Sequence, residues 1–276
     1  MAKSKTPLKT TRKDGPGHYA TVNGLRIYYE DHGAGLPLVL LHGGVGASEM
    51  FDPVLPVLAE KRRVIAVHLQ GHGRTRDIDR SLRFEAMADD VAALLQHLKL
   101  DQADLLGYSL GGEVALQTIL RHPDRIRKLV LISTPFQRQG FFPEVLADMA
   151  QMSSERARFM DQSPLYPLYP DVEWPVLFEK LGNLLRQDFD WSQEVAAIRS
   201  PVMLVSADAD AVRPAHTLEF FTRLGGGVRD AGLDGSGRPG ARLAVLPGMT
   251  HYDILTHPSL AAMVTAFLDA PITEIG

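Results

Sequence analysis

The chain has 276 residues, 45% of them apolar and 22% charged, the make-up of a soluble globular protein and not of a disordered, collagen-like or coiled-coil one. Net charge is −4, and because the first 15 residues hold five basic side chains against one acid, the rest of the chain is more acidic than that total, a poor match to nucleic acid. No cysteine is present, which excludes disulfides, thiolate metal sites and cysteine nucleophiles together.

The N-terminal residues lack the apolar stretch of a signal peptide, and no run approaches the ~18 apolar residues of a membrane span. Residues 1–17 read as a solvated tail, and the chain as a soluble, cytoplasmic protein. Apolar segments at 19–22 and 25–30 flank Asn23-Gly24, a strong two-residue hairpin signal, so an antiparallel pair opens the fold. A strand is predicted at 36–41, a short helix within 50–60 delayed by Pro53 and Pro56, and a strand at 64–68 running into the turn cluster Gln70-Gly71-His72-Gly73. Met87, Val91, Leu94, Leu95 and Leu98 recur at helical spacing over 84–98, with Ser81 as the N-cap. A strand at 103–107, a helix at 110–121 and a strand at 127–132 follow. After a break the alternation resumes with strand 202–206, helix 214–224, strand 242–246 and helix 258–268. Pro201, Pro214 and Pro258 stand at element starts, where proline is tolerated.

Strand–helix alternation at this spacing means a parallel sheet with helices on both faces, an α/β fold. Right-handed crossovers then bring the strand C-termini to one edge, where the loops form the ligand site. Residues 136–195 interrupt the pattern. They hold both tryptophans, ten of the twenty aromatics and five prolines, too apolar for a linker. They read as a helical cap inserted in a core domain made of 18–135 and 196–276. Residues 225–240 are Gly-rich and read as a long surface loop.

The residues after each strand carry the chemistry. Gly107-Tyr108-Ser109-Leu110-Gly111 lies between a predicted strand and a predicted helix, the context that a G-x-S-x-G nucleophile turn requires. The tight turn lifts the Ser109 hydroxyl above the sheet and points the Leu110 N–H toward the same space, at a helix N-terminus that favours developing negative charge. His42-Gly43-Gly44-Val45-Gly46 follows the third strand and offers Gly44 as a second oxyanion donor. His42 itself reads as a brace for that loop. A serine needs a base and the base needs a carboxylate, in the chain order Ser, acid, His. Asp208 and Asp210 follow the strand at 202–206, and His251 follows the last strand. Asp210 is favoured, since it lies farther out on the loop that reaches toward His251, with Asp208 as a loop brace. Acyl transfer by this trio needs no cofactor and no metal. Gly43-Gly44-Val45-Gly46 lacks the Gly-Lys-Ser/Thr ending of a phosphate loop.

With His42-Gly43-Gly44, Gly71-His72-Gly73-Arg74, Gly107-Tyr108-Ser109-Leu110-Gly111-Gly112, Asp210 before Pro214 and Gly248-Met249-Thr250-His251 in place, the chain resembles the α/β-hydrolase family over roughly residues 18–270. The resemblance implies an eight-stranded, mostly parallel sheet with an antiparallel second strand and a cap after the sixth. It implies Ser109 as nucleophile, Asp210 as acid, His251 as base, and the Gly44 and Leu110 N–H groups as oxyanion hole. The likeness is strongest to capped bacterial carboxylesterases. Two positions depart: His68 stands where the family has Asp, and Ala207 opens the stretch that usually reads Gly-x-x-Asp. The expected activity is hydrolysis of small or medium apolar carboxylic esters, with a small-molecule acyl substrate and neither nucleic acid nor membrane as partner. The oligomeric state is left open. A lactonase, a C–C bond hydrolase or a cofactor-free perhydrolase would use the same trio, and a ligand receptor on the same fold is the alternative of another class.

Overall fold

The computed structural model describes residues 17–272. The expected tail therefore lies outside the described residues, except for Gly17, which opens the first strand. The strands are β1 (Gly17–Val22), β2 (Leu25–His32), β3 (Leu36–Leu41), β4 (Arg62–Val67), β5 (Ala103–Tyr108), β6 (Ile126–Ile132), β7 (Val202–Ala209) and β8 (Arg242–Thr250). They form one sheet in the order β1-β2-β4-β3-β5-β6-β7-β8. Only β2 runs antiparallel to its neighbours. The β1–β2 turn places Asn23 at φ 48° and Gly24 at φ 79°, the doubly left-handed turn that an Asn-Gly hairpin selects.

The helices are α1 (Leu55–Leu58), α2 (Phe84–His97), α3 (Leu110–Arg121), α4 (Pro143–Ala150), α5 (Leu165–Leu168), α6 (Trp174–Leu185), α7 (Ser192–Val195), α8 (Pro214–Arg223) and α9 (Leu260–Asp269). Alternate strand residues serve opposite faces. Val39 and Leu41 of β3 pack in one core with Val91 and Leu94 of α2 and Val114 of α3. Leu38 and Leu40 pack in the other with Leu55 and Leu58 of α1 and Val264 and Phe267 of α9. Two covered faces explain why the inner strands are apolar throughout and do not alternate.

This topology decides where a ligand can enter. From β3 the chain passes through α1 to β4 on one side, then returns through α2 to β5 on the other. Strand order thus reverses at β3, and the crevice beyond the C-terminal ends of β3 and β5 is the natural binding position of such a sheet.

Three local expectations shift. The segment 50–60 divides into a single 3₁₀ turn at Ser48–Phe51 and the short α1, with Pro53 between them. Ser81 does not cap α2: the cap position is Arg83, extended at φ −144°, and no side chain caps the helix. β8 does not stop at Leu246 but runs to Thr250: beyond the pair of Ala207 and Leu246 the register shifts, β8 bulging through residues 247–249 opposite Asp208, and Ala209 pairs with Thr250.

Between β6 and β7 the chain folds into α4 to α7. The ends of this helical insertion are tied to each other: the Trp191 N–H donates to the Phe136 carbonyl and the Arg138 N–H to the Phe189 carbonyl, both at 3.0 Å. Trp174, Leu177, Phe178 and Leu181 of α6 join the larger core. Among the described residues, no helix is long and apolar enough to cross a membrane.

At the sheet edge away from this insertion lies a buried ionic cluster. Asp104 of β5 accepts from Arg62 of β4 at 3.0 Å and from Arg127 of β6 at 2.5 Å. Arg62 is 2% exposed, and it also pairs with Asp269. Asp104→Ala is expected to cost about 3 kcal/mol, the low end for breaking a buried pair, since Arg62 keeps Asp269. Urea denaturation checks this; an unshifted midpoint would contradict it.

Candidate active site

Ser109 sits between β5 and α3 at φ 52° and ψ −124°, a conformation that costs a non-glycine residue on the order of 1–3 kcal/mol and persists only when its surroundings impose it. Here they do. The Ser109 N–H prolongs the sheet by donating to the Ile132 carbonyl at 3.0 Å, while the Ser109 carbonyl accepts from Gly112 and Glu113 at 2.7 and 3.1 Å. The flanking glycines are set by close approach. A Cβ on Gly107 would stand 2.6 Å from Gly112 Cα, and one on Gly111 would overlap the Leu41 carbonyl. Strand and helix cannot meet this closely with side chains between them.

His251 Nε2 lies 3.0 Å from Ser109 Oγ, and its Nδ1 lies 2.9 Å from Asp210 Oδ1. β8 is three strand spacings from β5, about 14 Å. His251 follows Thr250 at the end of β8, and the Tyr108 hydroxyl donates to its backbone carbonyl at 2.6 Å. Asp210 also accepts from Ser133 Oγ at 2.5 Å and from the Ala207 and Val212 N–H groups at 3.0 and 3.2 Å. Burial alone would raise its carboxyl; the hydrogen bond and charge of His251, with Ser133 and the Ala207 N–H, outweigh burial and hold it below the usual carboxylate range. Asp210 is therefore an acceptor at neutral pH, suited to orient an imidazole and to stabilise it once charged. Asp208 is placed elsewhere: it accepts from the Gly248 and Met249 N–H groups at 2.9 and 3.2 Å and fixes the end of β8 that leads to His251.

Gly44 and Leu110 line the same cavity as Ser109, with 3.8 Å between the Cβ position of Gly44 and Leu110 Cδ2. Leu110 opens α3, so its N–H is among the donors that a helix leaves unsatisfied. Two buried histidines hold the Gly44 loop. His42 takes the Leu69 N–H on Nε2 at 3.1 Å and meets the Gly43 carbonyl through Nδ1 at 2.8 Å. His72 takes the Val45 N–H on Nε2 at 3.2 Å. Burial, with His72 nearby, pushes His42 down to about 3, and burial pushes His72 down to about 4. Both are neutral braces and poor bases. At the family's Asp position, His68 Nδ1 accepts the Arg74 N–H at 2.9 Å, and the Thr75 hydroxyl donates to the His68 carbonyl at 2.7 Å. The 68–75 turn is thus structural.

A cavity of about 460 Å³ opens above Ser109 and His251. Its far wall comes from the insertion: Val145 and Met149 of α4, Met152, and Leu181 and Leu185 of α6. Tyr252 stands at the rim, 84% exposed. Four bulky apolar residues of the insertion take three different settings. Met149 and Met152 line the cavity, Met160 is buried in the core, and Phe159 is exposed. A depression of about 670 Å³ between Gly71 and Lys180 is larger but touches none of Ser109, Asp210 and His251.

Sequence reasoning missed two supports of this arrangement. Ser133 follows β6 as Asp210 follows β7, and its hydroxyl holds Asp210; Tyr108 holds His251. Both follow or end a strand at the ligand edge, the signal that found the other residues.

The family model described as alpha/beta hydrolase fold matches residues 37–166. Over 256 residues the chain is 30% identical to a pimeloyl-[acyl-carrier protein] methyl ester esterase of Neisseria meningitidis, covering 83% of this chain and 92% of that one. The chain belongs to the α/β-hydrolase family. A putative carbamate hydrolase of Azorhizobium caulinodans is 30% identical over 237 residues, 77% of this α/β-hydrolase and 87% of the relative. A 2-hydroxymuconate semialdehyde hydrolase of a Pseudomonas strain is 41% identical over a shorter stretch of 115 residues, 40% of this chain and 41% of that one. These α/β-hydrolases are named for different substrates, so membership makes this protein a hydrolase and leaves the bond it cleaves to its own site.

Proposed function

We propose that this α/β-hydrolase cleaves small or medium, apolar carboxylic esters through an acyl-enzyme on Ser109. The observation that carries the reading is the continuous hydrogen-bonded chain from Ser109 through His251 to Asp210, opening on an apolar cavity. Ser109 Oγ attacks the ester carbonyl as His251 Nε2 takes its proton, and Asp210 stabilises the imidazolium. The carbonyl oxygen, now negative, is met by the Gly44 and Leu110 N–H groups. Collapse breaks the bond to the alcohol, which leaves with the proton from His251. Water then gives a proton to His251 as it attacks the acyl carbon, and the bond to Ser109 Oγ breaks as His251 returns that proton to Oγ, releasing the acid. The cavity size lies in the usual range for a small-molecule site, and its Leu, Val and Met lining suits a hydrocarbon acyl group.

The test is steady-state hydrolysis of p-nitrophenyl esters from acetate to decanoate. Turnover with an optimum at a short or medium acyl chain is expected. Folded protein inactive on the whole series would overturn the ester reading. A second reading keeps the same trio and cleaves a C–C bond; the higher local identity to the semialdehyde hydrolase favours it. Turnover of a ring-cleavage dienoate with none of simple esters would establish that reading instead.

A further inference from the structure

One carboxyl in the cavity takes no part in this chain of groups. Glu113 stands in the first turn of α3, where its N–H donates to the Ser109 carbonyl at 3.1 Å, and both residues line the same cavity. Glu113 lines the cavity yet is 2% exposed, and its Oε1 has no hydrogen-bond partner among the described residues. Among the described residues, no Lys or Arg lines the cavity. The other ionisable groups there are committed or exposed. His251 faces Asp210 and Tyr108 donates to the His251 carbonyl, while Asp148 is held by Arg156. Glu144 and Tyr252 lie toward solvent. On the elements packed against α3, Asp89 of α2 pairs with Arg121 and His122, Asp90 with Arg80, and Asp104 of β5 with Arg62 and Arg127. Burial, with no neighbouring charge adding to it, pushes the Glu113 carboxyl up to about 8. At neutral pH it is an acid with one O–H to donate and a carbonyl to accept.

Buried polar groups are almost always satisfied, and a group orphaned beside a nucleophile is completed by what the nucleophile binds. The leaving alcohol must lie toward His251 to take its proton. The acyl part then extends away from His251 into the cavity, which Glu113 also lines. We propose that Glu113 is a specificity-determining residue that hydrogen-bonds an oxo or hydroxyl oxygen on the acyl chain of the substrate. This rests on the acyl-transfer reading above and narrows it to oxygen-bearing acyl groups within an otherwise apolar pocket. A pocket with an unpaired buried donor discriminates against an acyl chain that leaves it unpaired.

The experiment compares kcat/KM for p-nitrophenyl hexanoate and its 4-oxo and 5-oxo analogues, corrected for spontaneous hydrolysis, at pH 6.5 and 9. Wild type, E113Q and E113L are measured. One oxo ester is expected to exceed hexanoate about tenfold in the wild type at pH 6.5, and the preference should shrink at pH 9 as Glu113 ionises. E113Q, which retains a donor and cannot ionise, should keep a preference at both pH values. E113L should lose it while still cleaving hexanoate. No oxo preference in the wild type, or the same preference in folded E113L, would overturn the proposal. If E113L does not fold, a preference that falls with pH in E113Q as it does in the wild type would overturn it. Ser109-dependent cleavage of hexanoate in every arm separates these results from a failure of the ester reading, in which none of the three esters would turn over.

Discussion

Ser109→Ala is expected to lower kcat for ester hydrolysis by about 10⁴- to 10⁶-fold while the protein stays folded. The loss is that large because the trio acts as a unit: without Oγ there is no bond to form and His251 has no proton to take. What remains is the oxyanion site and binding, which support only slow attack by water. The fold survives because the turn is held by the Ser109 backbone, through Ile132, Gly112 and Glu113, and alanine keeps all three bonds. Equilibrium unfolding beside steady-state kinetics checks both halves. A folded Ser109→Ala protein with wild-type turnover would remove the acyl-enzyme account altogether.

The second large effect separates two aspartates two residues apart. Asp210→Asn is expected to lower kcat by about 10⁴-fold, because an amide in that place fixes the wrong imidazole tautomer and cannot stabilise the imidazolium. Its environment sharpens the loss, since Asp210 is buried among four donors, and an amide brings its own N–H into that ring. Asp208→Asn should cost less than about tenfold, as it weakens two bonds to backbone N–H groups and touches neither His251 nor Ser109. The pH profiles should differ as well. The Asp210 carboxyl is held below its ordinary range, so it stays charged as pH falls through the usual carboxylate region, and its protonation should produce no loss of rate above about pH 4. Equal losses from the two substitutions, or a larger one at Asp208, would reassign the acid.

The sheet was legible because both of its signals are local. Six-residue apolar runs can only be strands when both faces are covered, and helical spacing in 84–98 and 110–121 supplies the covers. Ser109 was legible for a related reason, since backbone packing against Leu41 and Gly112 demands the glycines beside it. Pro247 and Gly248 read as the end of a strand. They lie inside β8 as part of a bulge opposite Asp208, a property of two strands together, after which the pairing with β7 continues. Ser133 and Tyr108 were passed over because a lone hydroxyl after a strand acquires meaning only from the partner it meets. Glu113 carries no signal of its own in the sequence, because its burial on α3 comes from tertiary packing. Inside 136–195 the aromatic content announced a packed segment, but not which residues face the core and which the cavity, since the apolar residues of α6 are divided between the two.

The central claim is that Ser109 is a nucleophile activated by His251 and Asp210. Labelling with a fluorophosphonate, followed by peptide mass mapping, tests it most directly, because the reagent reacts with an activated serine whatever the natural acyl group. The account expects one adduct per chain, on the peptide containing Ser109, absent from Ser109→Ala and slow to form in Asp210→Asn. Folded protein that remains unmodified, or that carries the adduct on another residue, would contradict it.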